Sequence, residues 1–250
     1  MSALDYKPVF DTAQSLAEAV DYRATFPEFH DYRSLYHFIV APEGQQGPDK
    51  GALRDAEEID AALSRRLAAK GPSLLGNGSK TLDGVESRHI AVLTALLAQT
   101  GASLGNVVEI GGGYGNCLRL LDGIAEINSW TIIDMPYILD LQRWFLHNAG
   151  VERPVLYLPA DSPDEYAELW PDIVIGIHSL SEISAEDFEV YYEGLIRRSP
   201  LLYYVSQVSG PSDWLIREKL AIIRTDFDLR YSRLYEGGNS VIQLFENRSV

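Results

Sequence analysis

The chain has 250 residues, of which 46% are hydrophobic, enough for one α/β domain with an appendage and a real core. Against 21 basic residues stand 36 acidic ones, a net charge of −15. That charge argues against capture of a nucleic-acid backbone or docking on an anionic membrane, and favours a small or neutral partner. No stretch approaches ~20 apolar residues, and the opening MSALDYKPVF lacks a charged n-region and an h-region, so the expectation is a cytoplasmic protein. The single Cys117 excludes an intrachain disulfide and a cysteine zinc cluster; among Leu118, Leu120 and Leu121 it reads as a small buried side chain.

Residues 1 to 84 read as helical and irregular. Asp11 can cap a helix through about Tyr22, another candidate spans Asp31 to Val40, and a third runs from Ala56 to Lys70 and ends at Gly71-Pro72. Gly/Pro-rich stretches at 41–48 and 71–78 separate them as hinges or linkers. This suits a helical cap more than a second core. The aromatics Tyr22, Phe26, Phe29, Tyr32, Tyr36 and Phe38 can stack on a flat ligand and close a lid; the competing reading is the core of the cap, or a homo-oligomer interface built from these helices.

From Val85 onward strands and helices alternate, which predicts a mostly parallel sheet with helices on both faces. A helix over Glu86 to Gln99 stops at Gly101 and leads into the strand Asn106–Ile110. Further strands are expected at Trp130–Asp134, Val155–Leu158, Ile173–Ile177, Leu201–Ser206, Leu229–Tyr235 and Val241–Glu246. Helices fill the gaps at Tyr114–Leu121, Tyr137–Asn148, Ala185–Arg197 and Ser212–Thr225, with a short one within Pro163–Trp170. Only Gly237-Gly238-Asn239 separates the last two strands, too little for a crossover helix, so they form an antiparallel hairpin.

Chemistry concentrates where the first strand ends, in Val107-Val-Glu-Ile-Gly-Gly-Gly-Tyr-Gly-Asn116. Glycine has no Cβ, so Gly111, Gly113 and Gly115 can take positive φ and let a ligand lie against bare main chain, while the next helix offers its free N–H groups. Asp134 ends the second strand about 20 residues further on, where a carboxylate can accept from both hydroxyls of a ribose. Asp134-Met135-Pro136 is also a plausible helix start, with the acid as cap.

These residues carry a resemblance. Glu109-Ile-Gly-Gly-Gly-Tyr-Gly115 followed by Ile132-Ile-Asp-Met-Pro136 resembles motifs I and II of class I S-adenosylmethionine-dependent methyltransferases, over residues 85 to 250. More narrowly, the phrases EIGGGYGN, DMPYILDLQRWFL and PDIVIGIHSLSEIS resemble sugar O-methyltransferases of bacterial polysaccharide and natural-product gene clusters. The resemblance implies a doubly wound, seven-stranded Rossmann-like sheet with an antiparallel C-terminal hairpin, S-adenosyl-L-methionine as cofactor, and a small-molecule acceptor. It implies that Glu109 and the backbone of Gly111 and Gly113 hold the methionine part, that Asp134 holds the ribose, that Met135 flanks the adenine, and that Asp161 faces the adenine amino group. An exposed loop acid is the other reading of Asp161. The long helical N-terminus lies outside the shared core, so no role transfers to it. A nicotinamide oxidoreductase would favour glycine at the position of Asn116 and would not ask for an acid at Glu109.

In open α/β sheets ligands lie beyond the carboxyl ends of the strands, so the residues after Ile173–Ile177 are expected at the reacting centre. His178 is the candidate general base for a hydroxyl acceptor, or alternatively a structural histidine. Glu182 could orient His178, bind the acceptor, or cap the helix near Ala185. A divalent metal held by Asp161, Glu182 and Asp187 lacks a spaced ligand motif, so none is expected. His147 and His89 are read as structural. A third class remains, a protein that binds the cofactor without transferring its methyl group.

Overall fold

The structure is a computed structural model that describes residues 47–73, 82–207, 213–235 and 240–249. The candidate helices at 11–22 and 31–40, the N-terminal aromatics and the turn 237–239 lie outside the described residues. In chain order the elements are α1 (Lys50–Ala68), α2 (Gly84–Thr100), β1 (Ser103–Ile110), α3 (Asn116–Leu121), β2 (Glu126–Asp134) and α4 (Pro136–Asn148). They continue with β3 (Val155–Pro159), α5 (Pro163–Tyr166), β4 (Ile173–Ile177), α6 (Ser179–Glu182), α7 (Ala185–Gly194), β5 (Leu201–Gln207), α8 (Asp213–Asp226), β6 (Phe227–Tyr235) and β7 (Ser240–Asn247).

Seven strands form one sheet in the order β3-β2-β1-β4-β5-β7-β6. The pairs β1–β2, β1–β4, β2–β3 and β4–β5 are parallel, whereas β7 runs antiparallel to both β5 and β6. The expected doubly wound sheet with an antiparallel C-terminal hairpin is therefore present. Its chain order reverses between β1 and β4, which opens a crevice at the carboxyl ends of those strands.

The near-continuous apolar runs follow from burial on both faces. Val107, Ile132, Ile173, Ile175 and Tyr203 face one core with Leu93 of α2, Leu118 of α3 and Phe145 of α4. Their neighbours Val108, Ile110, Ile133, Val174 and Leu202 face the other, with Phe188 and Tyr192 of α7 and Ile223 of α8. A one-residue slip in any central strand would exchange these sets. Ala52, Ala56 and Leu67 of α1 belong to the first core as well.

Helix α2 is closed at its start by a capping box, in which Asp83 accepts from the Glu86 N–H at 2.8 Å and Glu86 accepts from the Asp83 N–H at 3.0 Å. Gly101 ends it in the left-handed conformation, φ +66°. Helix α1 begins at Lys50, earlier than the expected Ala56, because Asp49 caps it by accepting from Ala52 N–H at 3.0 Å. It breaks at Asp60 (φ −158°, ψ 102°), whose side chain caps the second half through Ala62 and Leu63. The buried Asp55 pairs with Arg233 of β6 at 3.3 Å, fastening α1 to the terminal hairpin.

Candidate functional site

The loop after β1 takes the form that its glycines allow. Gly111, Gly113 and Gly115 have φ of +70°, +56° and +93°. A side chain on Gly111 would collide with Ser179 and one on Gly115 would press on Leu146, so these two glycines serve close packing. Around the Cβ position of Gly113 there is nothing within 4 Å among the described residues. Gly113 is thus the point where bare main chain faces open space. At Gly111 the fit is locked from both sides, since its N–H donates to Ile133 O and Ser179 Oγ donates to Ile110 O.

Two buried carboxyls stand beside this loop. Glu109 is 2% exposed and accepts from Trp130 Nε1 at 3.1 Å and from the Cys117 thiol. Burial lifts it to about 7, and the nearby Asp134 pushes in the same direction. Glu109 therefore supports the loop from beneath, with Oε2 3.2 Å from where a Cβ of Gly112 would be. Asp134 at the end of β2 is likewise raised to about 7 by burial, although the N–H groups of Met135, Gln142 and Gly112 favour its carboxylate. Gln142 Nε2 donates to Asp134 at 2.8 Å and to Gly113 O at 2.9 Å. The cap position of α4 belongs to Met135, with Pro136 in the first turn, and Asp134 accepts from the Met135 N–H. Cys117 is buried, as expected.

Further along the crevice, Asp161 is exposed, and Ser162 is the cap residue of α5 without a side-chain bond. Tyr191 of α7, stacked on Tyr166 at 5.4 Å, has the acids Asp134, Asp161 and Asp187 within electrostatic reach of its hydroxyl. Asp161 and Asp134 thus converge on one aromatic pair.

His178 closes β4 in a conformation unusual for a residue with a side chain, φ +66°. Its N–H donates to Val205 O at 2.9 Å, and its carbonyl accepts from both the N–H and the hydroxyl of Ser181, which holds the one-turn α6. Its Nδ1 is buried, without a partner among the described residues. Burial, with Arg88 nearby, lowers its pKa to about 4, so the ring is neutral at physiological pH.

Glu182 does not orient His178, nor does it cap α7. Ser184 does the capping, by accepting from Asp187 N–H at 3.0 Å. Lys219 of α8, fully buried, lies within electrostatic reach of Glu182, and its ammonium donates to Ser181 O at 3.0 Å and Ile183 O at 2.6 Å, the carbonyls on either side of that residue. Burial raises Glu182 to about 7 and lowers Lys219 to about 8. Among the described residues no three His, Cys, Asp or Glu side chains gather in a way that could hold a metal ion, and Asp187 accepts from the Ser184 hydroxyl instead.

Three residues of the site were not singled out by sequence reasoning: Gln142, Lys219 and His89. Gln142 and Lys219 are polar residues on the apolar stripes of amphipathic helices, which is the signal that could have found them. His89 lies in the middle of α2, yet it bonds Asn116, at the end of the glycine loop, at 2.8 Å.

A glycine turn after β1, an acid ending β2 and a crevice at the strand reversal stand together on a doubly wound, Rossmann-like α/β fold with an antiparallel C-terminal hairpin. Solved structures agree on the fold. The chain is similar to the N-methyltransferase NodS from Bradyrhizobium japonicum WM9, in complex with S-adenosyl-L-homocysteine, at TM-score 0.55 and 14% identity over 76% of this chain and 99% of that one. It is similar to the PH0226 protein from Pyrococcus horikoshii OT3, at TM-score 0.52 and 14% identity over 64% and 90%. A third likeness is to Thermoplasma acidophilum 1320, at TM-score 0.50 and 16% identity over 77% and 99%. No family model and no curated protein matches the chain. Among the described residues no helix is long and apolar enough to cross a membrane.

Proposed function

We propose that this protein transfers the methyl group of S-adenosyl-L-methionine to a hydroxyl of a sugar or small natural product. The observation that carries the reading is the pairing of the open main chain at Gly113 with the buried carboxyl of Asp134, joined through one Gln142 amide. A ribose with two adjacent hydroxyls is a fitting partner for a buried carboxylate that still has lone pairs free. NodS, whose fold this chain shares, holds the demethylated form of the same cofactor.

The backbone of Gly111 and Gly113 would lie along the methionine part, with Glu109 supporting the loop from beneath. Asp134 would accept from the ribose, Met135 would flank the adenine, and Asp161 would face its amino group beside Tyr191. When bound, S-adenosylmethionine supplies a methyl on a sulfonium, which leaves as a neutral thioether while the acceptor takes the methyl. His178, neutral at physiological pH, would receive the hydroxyl proton at Nε2. Glu182, held at about 7 by burial, would bind the acceptor. Residues 1–84 would form a cap over a catalytic domain of 85–250.

Calorimetric titration with S-adenosylmethionine tests the first half: the wild type binds, and Asp134→Ala binds at least ~10-fold more weakly, about 1.4 kcal/mol. Absence of binding by the wild type would sink the reading. Mass spectrometry for S-adenosylhomocysteine on adding candidate acceptors tests the second half, and His178→Gln is expected to lower turnover with little change in cofactor affinity.

A further inference from the structure

His89 has a tautomer that the structure determines. Asn116 Oδ1 accepts from Arg119 Nε at 2.7 Å, and a guanidinium can only donate. The other end of the amide, Nδ2, is therefore the end that meets His89 Nδ1 at 2.8 Å, and Asn116 must donate there. An Nδ1 that accepts leaves the proton of a neutral ring on Nε2. Arg119 is itself held, by the carbonyls of Lys70 and Gly71 and by the buried Glu86 at 3.9 Å, so the amide is not free to turn over.

The charged and titratable groups near His89 are Arg88, His178 and Arg119, all of which disfavour a positive ring. Together with burial they lower its pKa to about 3. His89 is thus a neutral imidazole with a committed donor at Nε2, and among the described residues the hydrogen bond of its ring is the one that Nδ1 makes with Asn116. Its neighbour His178 has a neutral ring whose Nδ1 no described residue engages. Asn116, which bonds His89, closes the glycine loop, and Ser179, next to His178, packs on Gly111, so both histidines are tied to the same loop through these residues, and the His178 ring is within electrostatic reach of His89.

Resting on the methyl-transfer reading above, we propose that His89 Nε2–H donates a hydrogen bond to the methyl-accepting atom while His178 takes its proton, so that the acceptor is an oxygen with a free lone pair, as hydroxyl or its anion. An ammonium has no lone pair to offer His89 and is rejected. As the oxygen–methyl bond forms and the sulfur–methyl bond breaks, the electron pair stays on sulfur and the hydroxyl proton passes to His178.

The test is a two-bond proton–nitrogen correlation spectrum of the full chain with 15N-histidine, recorded with and without S-adenosylhomocysteine. The expected result is a His89 ring protonated on Nε2 and bare on Nδ1, unchanged between about pH 5 and 8. Phenol, added as the probe, shifts the His89 Nε2 signal, and methylammonium does not. In Asn116→Asp the carboxylate can only accept, so the His89 proton moves to Nδ1 and the phenol response is lost. A wild-type ring protonated on Nδ1, a ring unmoved by phenol, or equal responses to phenol and methylammonium would overturn the proposal. His89→Phe is expected to keep S-adenosylhomocysteine affinity within about twofold; a tenfold loss would make His89 a cofactor ligand and overturn it as well. Failure of the wild type to bind S-adenosylhomocysteine would count against the methyl-transfer reading, while the tautomer measured without it still decides this one.

Discussion

Gln142 reaches out of α4 with one Nε2 to two acceptors, the carboxylate of Asp134 at 2.8 Å and the carbonyl of Gly113 at 2.9 Å. The acid that ends β2 and the turn that follows β1 are therefore positioned by the same amide, whose own Oε1 is buried without a partner among the described residues. Gln142→Leu removes a donor from a buried carboxylate and releases the loop. Cofactor affinity is expected to fall ~10-fold or more, and Asp134 to titrate higher than in the wild type. Calorimetry at several pH values measures both.

Asp134 itself sets a pH dependence. Its folded-state pKa is about 7, above the 3.8 of an unperturbed aspartate, so the native state holds the extra proton between those values. Stability from this group therefore declines as pH rises from about 4 to 7 and stays reduced above. Asp134→Asn removes that cost: in denaturant titrations at pH 8 the variant without cofactor is expected to be more stable by at least ~1 kcal/mol, while its cofactor affinity falls. In the wild type, affinity should strengthen as pH rises through about 7, because the carboxylate is the form that accepts from hydroxyls.

Lys219 behaves in the opposite sense. Burial holds it at about 8 against an unperturbed 10.5, so the native state releases its proton first and this group adds stability as pH rises from about 8 to 10. Lys219→Met strands the carbonyls of Ser181 and Ile183 and leaves Glu182 without its cation. A loss of ~2–4 kcal/mol at pH 7 is expected, with the alkaline rise in stability reduced, both readable from denaturant unfolding.

The two glycines of the loop should separate packing from ligand contact. Gly111→Ala adds a collision with Ser179 to a strained φ, for a loss of ~2–5 kcal/mol. Gly113→Ala meets no atom and carries only the ~1–2 kcal/mol of its backbone conformation, but its methyl enters the space where the cofactor would lie. Thermal unfolding should rank Gly111→Ala as the less stable variant. Cofactor titration should find Gly113→Ala folded and at least ~10-fold weaker in binding.

The sheet was legible because its strands are buried on both faces and write their positions as unbroken apolar runs. Ile173–Ile177 agrees to the residue. Boundaries slipped where the chain turned polar, as in β2, which begins at Glu126 and not at Trp130 because Glu126, Asn128 and Ser129 lie outside the apolar run. Helix α1 was read short because Asp49 hides its cap inside a Gly/Pro-rich stretch, and because nothing in the periodicity marks the break at Asp60. Within the site, Glu109, Gly111, Gly113 and Asp134 stood out by type and spacing. His89 and Lys219 did not, since their partners lie 27 and 36 or more positions away. Only the tertiary fold brings those groups together.

The placement of β7 has a consequence for how the molecule is made. This strand, Ser240–Asn247, inserts between β5 and β6 and, among the described residues, is what covers the free edge of β5. On the ribosome the five parallel strands emerge first and can assemble in succession, but β5 keeps a row of unpaired N–H and C=O groups until Ser240–Asn247 has been translated. A nascent chain stalled before Ser240 would carry a finished glycine turn and an open, adhesive sheet margin, and β7 is the strand that removes this aggregation template.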